Sequence, residues 1–595
     1  MRLNDNRILS PLSRIRPAAA MAALFSAWCL VCAAFACGED LFTKLNYAGR
    51  IPMARMVAAV LLLTAALLCL SLWRARWFYR LLPLCPLLYG AVCAFRAPSF
   101  YTAFGFLVPV SILLIYVLRE DRAAFDGARM PRWVAIGLPA LFGALMAAYL
   151  ITAALMRYGT YHSPCYDFGI FCQMFHNMRT VGLPLTTCER TVEMSHFAVH
   201  LSPFYYLLLP FYALIPRPET LLVLQVLGVL SGVIPLCLLA RHFSLTRAQT
   251  VAVSLLYLGC AALTGGIFYD FHENKFLTAL LLWLFLALER KKWIPVALFT
   301  VLTLTVKEDA ALYIIFIGIW LLLSRPEKKT GAAMTLGGTG YFLAATAYLS
   351  RHGDGAMFNR FSNVIGETGG IADLVHAALA NPALLLRECL TEDKLVFAAC
   401  LLLPLGLIPL LPRKLSSLML LCPFVVINLL SDYTYQHSLN FQYTYGVMAL
   451  LFYLTVANLP HIPDLASGFR LRRALLCFAL CACALVGAVQ VRNHSAVFTN
   501  FAAYREDSRV ITEVLETLPE DASVRTASMF AAHLADRREL YYLTNDADAD
   551  YVLLDLRPYI NISSARGYEV EYFERRGYEL LTEVEDVIAV LKKAE

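Results

Sequence analysis

Runs of about 18 or more apolar residues recur along most of this chain, and such runs constrain it more than any motif does. A run of that length spans the hydrocarbon core of a bilayer as a helix. In lipid, a helix satisfies every backbone N–H and C=O within its own segment. The composition agrees: 59% of the 595 residues are hydrophobic and 16% are charged, against about 25% charged in soluble proteins. The fold class read from this is a polytopic α-helical membrane protein. The exception is the charge-rich stretch 505–595, where short strand-like segments (523–527, 539–543, 551–555) surround a helix-like 529–536. That alternation predicts a small α/β domain.

The net charge of +6 does not point to nucleic acid, because Lys and Arg sit in short loops between apolar runs, where they orient helices. The partner this implies is membrane lipid. Most of the 17 cysteines lie inside apolar runs and act there as small apolar side chains. Cys165, Cys172 and Cys188 share a predicted external loop, and whether they pair is left open.

Basic loops alternate in a way that gives a consistent path of about fifteen spans. The N-terminus, with Arg2, Arg7, Arg14 and Arg16, is expected inside the cell. Its first apolar run, 17–37, is read as an uncleaved helix, although the Ala-Phe-Ala-Cys ending also suits a signal peptide. Residues 1–130 then carry about four spans and 131–491 the main membrane domain, with an external loop at 157–218. Residues 492–595 form the external domain, which places the protein in the cytoplasmic membrane with its C-terminal domain outside. Two further expectations bear on the site. Residues 293–324 have basic clusters at both ends and predict two short helices turning at Lys307-Glu308-Asp309. Pieces such as 202–208 predict interfacial helices.

Unusual polar residues fall at what topology makes the external ends of these helices. Ionisable groups at membrane depth are costly and tend to face cavities or partners. Asp167 lies in Tyr166-Asp167-Phe168-Gly169-Ile170-Phe171-Cys172-Gln173. It suits a helix N-cap or a carboxylate that orients an attacking hydroxyl. Asp270, His272 and Glu273 read as a polar turn, a second acid, or oxygen and nitrogen ligands for a divalent cation. Glu193, His196 and His200 would share one face if their segment were helical. That arrangement suits hydrogen bonding within the loop, or a metal. Lys307, Glu308 and Asp309 form a self-neutralising turn or a phosphate grip, with Arg190, Arg351 and Arg360 as further cations. Tyr443 closes an aromatic, amide-rich stretch, 433–443, suited to a sugar or to anchoring at the interface.

The stretches 166–173, 196–203, 269–276 (Tyr-Asp-Phe-His-Glu-Asn-Lys-Phe) and 306–312, with parts of 527–552, resemble the predicted membrane-protein family called domain of unknown function 2079. That family is similar to the GT-C glycosyltransferases, which take sugars from polyprenyl-phosphate carriers. The resemblance covers roughly 130–595. It implies a GT-C-like membrane fold and an inverting glycosyltransferase. Its donor would be a polyprenyl-phosphate sugar and its acceptor an envelope glycan, lipid or protein. Asp167 would be the essential acid and Asp270 a second acidic position. Cys172 stands where many relatives are expected to carry Asp. The alternative from another class is a transporter or flippase of a lipid-linked or polar solute.

Overall fold

The computed structural model describes residues 16–38, 51–121, 130–163, 166–353, 355, 358–366, 369–464, 470–560 and 568–594. Arg2, Arg7, Arg14, Arg122, Arg129, Cys165, Asp354, Glu367 and most of the loop 38–52 lie outside the described residues.

Eight helices among the described residues are long and apolar enough to cross a membrane: Pro17–Phe35, Met53–Trp73, Ala75–Arg96, Phe100–Glu120, Arg132–Gly159, Pro218–His242, Arg247–Phe268 and Leu471–Ala503. Several of the remaining expected spans are shorter helices, among them Leu277–Glu289, Trp293–Leu304, Ala311–Ser324 and Tyr445–Asn458. Lys328–His352 is long enough but more polar. Residues 403–429, read from sequence as parts of two spans, form 3-10 and π turns around Pro404, Pro409 and Pro423. The reason for the difference is burial. Tyr445–Asn458 is covered by protein along almost its whole length, so it need not match the bilayer thickness. Irregular backbone at membrane depth is tolerated where protein covers it.

The first four spans form their own small cores and dock on the last long helix. Ala94, Ala103, Leu107, Val110 and Leu114 pack against Cys481, Ala482, Leu485 and Val489. Small residues on both sides let the backbones approach. At one end of the main bundle, Glu289 accepts from Arg325 (2.6 Å) and from the Tyr453 hydroxyl (2.6 Å), which ties three helices together.

The opposite end carries the cavity and the C-terminal domain. The helix Tyr166–Thr180 is nearly all buried between them. A short hairpin follows, β1 (Leu185–Thr186) with β2 (Met194–Ser195), antiparallel, pairing Leu185 with Ser195. Residues 193–200 are therefore not a helix. Glu193 turns away to Arg538 (3.1 Å), and the expected shared face with His196 and His200 does not form. The apolar helix Tyr205–Leu214 exposes Tyr206, Leu207, Phe211 and Leu214, as an interfacial helix does.

The C-terminal domain is a five-stranded mixed sheet in the order β4 (Leu540–Tyr542), β3 (Val524–Thr526), β5 (Tyr551–Asp555), β7 (Ile588–Lys593), β6 (Tyr578–Val584). β3 runs parallel to both β4 and β5, while β7 is antiparallel to β5 and β6. The helix expected over 529–536 is only the turn Ser528–Ala531. The domain is fixed to the Tyr166–Thr180 helix. Gln173 donates to the Arg538 carbonyl (2.8 Å) and Tyr542 stacks on Tyr166 at 4.6 Å. Arg557, held by Asp555 at 2.7 Å, donates to the Tyr161 carbonyl at 2.9 Å.

Candidate functional site

The Tyr166–Thr180 helix begins at the rim of a cavity of about 220 Å³, and Asp167 in its first turn faces that space with 31% of its side chain exposed. Six separate parts of the chain wall the cavity. The first contributes Tyr166, Asp167, Ile170 and Phe171. The loop after it contributes Glu189, Arg190, His196 and His200. The 269–272 turn gives Tyr269 and His272, and the break between two short helices gives Lys307. Tyr433, Tyr435, Phe441, Gln442 and Tyr443 form an aromatic wall, with Arg360 beside them.

Asp167 is held from behind. The Tyr269 hydroxyl donates to its Oδ2 at 2.5 Å, and His272 Nε2 stands 3.3 Å from the same oxygen. Burial pushes this carboxyl upward. The contact with His272, the Tyr269 hydroxyl and the charge of Lys307 outweigh burial and hold it at about 2. Asp167 is therefore a fixed negative charge and a weak base. Tyr269 stacks on His272 at 5.3 Å and against Phe441 at 4.6 Å, which fixes its hydroxyl.

Beneath this pair lies an ion pair almost without solvent. Lys307 Nζ is 3.3 Å from Glu273 Oε1, with side-chain exposures of 4% and 1%. Glu273 Oε2 also accepts from the Tyr205 hydroxyl at 2.6 Å. Burial would discharge both groups. Glu273 first, then Glu308 and Asp309, keep Lys307 protonated; Lys307, His272 and Tyr205 bring Glu273 to about 2. Two more imidazoles are each backed by a carboxylate. His196 Nδ1 is 2.9 Å from Glu189, and His200 Nδ1 is 2.9 Å from Glu308. Burial, then Lys307 and His196, pushes His200 well below its usual range, so it is neutral; the Glu189 charge overcomes burial and raises His196. Glu308 Oε2 accepts from the Leu201 N–H at 3.1 Å. Asp309 is raised to about 6, chiefly by burial, against the pull of Lys307.

Most of the residues singled out by sequence meet here. Asp167, His196, His200, His272, Lys307 and Tyr443 line the cavity, and Glu273, Glu308 and Asp309 stand behind it. Arg190 and Arg360 line it too, whereas Arg351 sits on the surface. Asp270 is not brought in. It accepts from Ser163 at 2.7 Å and lines a separate, much smaller cavity with Tyr158 and Phe168. The 3-10 turn at Glu273–Phe276, pinned by buried Lys275 through Gln225 (2.7 Å) and the Tyr269 carbonyl (2.6 Å), turns Tyr269 and His272 to one side and Asp270 to the other. Sequence reasoning missed Tyr269, Tyr205 and Glu189. Tyr269 opens the very motif that named Asp270, so the motif itself was the available signal.

No set of three His, Cys, Asp or Glu side chains among the described residues is arranged to hold a metal ion. The divalent cation that the sequence left open has no ready ligand set among the described residues. Cys172 and Cys188 are buried. Among the described residues, none of the C-terminal domain lines the cavity.

Residues 157–576, most of the chain and every part of it that lines the cavity, match the family described as predicted membrane protein (DUF2079). The chain belongs to this family. Its first four spans, and all but the end of the fifth, lie outside the match. No curated protein and no solved structure matches the chain.

Proposed function

We propose that this member of the DUF2079 family is an inverting glycosyltransferase of GT-C type. It would use a polyprenyl-phosphate sugar at the outer face of the cytoplasmic membrane, with the N-terminus inside and the C-terminal domain outside. The observation that carries the reading is one cavity holding a fixed, partly exposed carboxylate, three cations and an aromatic wall. Asp167 accepts a hydrogen bond from the acceptor hydroxyl and aims its oxygen at the anomeric carbon. As that bond forms, the bond from the anomeric carbon to the phosphate oxygen breaks, and its electron pair leaves with the polyprenyl phosphate. The hydroxyl proton passes to Asp167, which at about 2 releases it to water at once. Asp167 also stabilises the positive charge developing at the anomeric carbon. Lys307, with Arg190 and Arg360, stabilises the departing phosphate, where negative charge grows. The aromatic residues 433–443 take the sugar face.

The C-terminal domain acts in this scheme by holding the helix that carries Asp167, since none of its described residues lines the cavity. Grouping of the site charges at one end of the bundle favours a transferase over a carrier whose polar groups open to both sides. The test compares lipid-linked sugars and envelope glycans in a deletion strain and an Asp167→Asn strain. Both should accumulate lipid-linked sugar, with the variant protein at normal abundance. Normal glycans in the Asp167→Asn strain would remove Asp167 from the chemistry.

A further inference from the structure

The segment 433–443 walls two cavities. Tyr433, Tyr435, Phe441, Gln442 and Tyr443 face the one described above. His437, Ser438, Leu439 and Asn440 face another, of about 150 Å³, closed by Phe100 from the N-terminal spans, by Asp393, Val396, Phe397 and Cys400, and by Gln490 and Asn493 on the last long helix. Its lining differs in kind from the first. It holds one carboxylate and no Lys or Arg. The neighbouring Lys394 turns away, donating to the Glu388 carbonyl at 2.8 Å. An anionic headgroup or a phosphate has no counter-charge in this pocket.

What the pocket offers is paired donors and acceptors on a rigid frame. His437 Nε2 is fixed 2.8 Å from Asp393 Oδ2, and Thr391 donates to the other oxygen of Asp393 at 2.5 Å. Gln490 Nε2 donates to Asn440 Oδ1 at 2.6 Å and lies 2.9 Å from His494 Nε2, which locks both amides and leaves Gln490 Oε1 as an acceptor and Asn440 Nδ2 as a donor, with the Asn493 carboxamide beside them. Asn493 stands exposed at the rim. A carboxamide presents a donor and an acceptor side by side, and a carboxylate presents acceptors only. That combination matches neighbouring hydroxyl groups, each of which both donates and accepts. Phe100 and Phe397 supply aromatic rings whose faces attract C–H groups.

We propose that this pocket binds a neutral sugar residue, separate from the phosphate-gripping cavity and joined to it by the 433–443 segment. The assignment stands whether or not the protein is a transferase, because it uses none of the residues given a role in transfer. Phe100 lies outside the part of the chain matched by the family, so the pocket is completed by an N-terminal span. A sugar bound here lies against the back of the aromatic wall, a position suited to the glycan part of an acceptor.

The test is saturation-transfer NMR on the full chain in nanodiscs with methyl α-mannoside, methyl β-glucoside and methyl N-acetyl-β-glucosaminide as probes. At least one glycoside should receive saturation. Asp393→Ala with Asn493→Leu should weaken its binding by at least about tenfold, as two lost hydrogen bonds would. Asn493→Trp, at an exposed position where a large side chain fills the pocket without entering the core, should do the same. A glycoside signal that both variants leave intact would overturn the site, as would silence from all three probes. Displacement of the glycoside by glycerol 3-phosphate would overturn its neutral character.

Discussion

The Tyr269 hydroxyl donates to Asp167 Oδ2 across 2.5 Å and joins two motifs a hundred residues apart in the chain. With His272 on the same oxygen, it makes Asp167 a charge of fixed position. Tyr269→Phe removes one hydrogen bond to a carboxylate, worth about 1.5–3 kcal/mol. The ring remains stacked on His272 and Phe441, so the fold should persist. Transfer should fall by roughly ten- to a hundredfold, measured as the initial rate of sugar loss from the lipid carrier in purified membranes. A rate equal to that of the unaltered protein would show that Tyr269 does not position the acid.

Glu273 and Lys307 make a second, deeper pair whose energetics are distinct. Two charges this buried contribute little net stability together, but each is costly without the other. Glu273→Gln alone should destabilise the protein by about 3–5 kcal/mol, because buried Lys307 loses its direct ion-pair partner and keeps only the more distant charges of Glu308 and Asp309. Glu273→Gln with Lys307→Met should recover most of that loss. Thermal melting in detergent of both single variants and the double variant gives the coupling, and additive losses would rule the pairing out as a stabilising contact.

How much of this site sequence could reveal depended on the local backbone. Lys307 was legible because three ionisable residues between apolar runs have few places to go, and the turn between Trp293–Leu304 and Ala311–Ser324 sits where basic flanks predict it. Asp167 was legible by its position just after a span. Asp270 and the Glu193–His200 face were misplaced for one reason: both assignments needed a side-chain direction, and both segments are 3-10 turns or hairpin ends with no fixed period. His196 and His200 do reach the cavity, but their carboxylates come from Glu189 and Glu308, one seven residues away and one in a different element. In the C-terminal domain three strands were readable from β-rich runs. The final hairpin, β6 with β7, was not, because β6 sets Leu580 and Leu581 side by side without alternation and is exposed along most of its length.

Gly169 tests the seam between the Tyr166–Thr180 helix and the C-terminal domain. A Cβ there would lie 2.6 Å from the Tyr542 hydroxyl and 2.8 Å from Ala531 Cβ, closer than either allows. Gly169→Ala should cost about 1–3 kcal/mol through overpacking and should reduce transfer by moving Asp167, two residues away. Adding Tyr542→Leu removes one of the two clashes, so the double variant should be less destabilised than the sum of the singles. Strict additivity in thermal melting would mean that the two elements do not share this contact.

Asp309 sets a pH dependence that Asp167 cannot. Asp167, held at about 2, keeps its charge across the physiological range, and its stabilising contribution is lost only as pH falls from the ordinary carboxylate range toward that value. Asp309 runs the other way. Burial raises it from 3.8 to about 6, so the folded state binds its proton more tightly than the unfolded chain does. The resulting stability is fully present below the unfolded value and disappears as pH rises through about 6, beyond which a buried carboxylate is carried at a cost. Asp309→Asn keeps the shape and abolishes the titration. The variant should match the parent most closely below about pH 3.8, where Asp309 is protonated in both states, gain on it as pH rises, and melt higher than the parent by its full margin once pH is well above about 6. Lys307 moderates the gain, since removing Asp309's charge also removes part of what keeps Lys307 protonated. A variant that melts lower than the parent at the higher pH would mean that Lys307 draws more from the Asp309 charge than burial takes away.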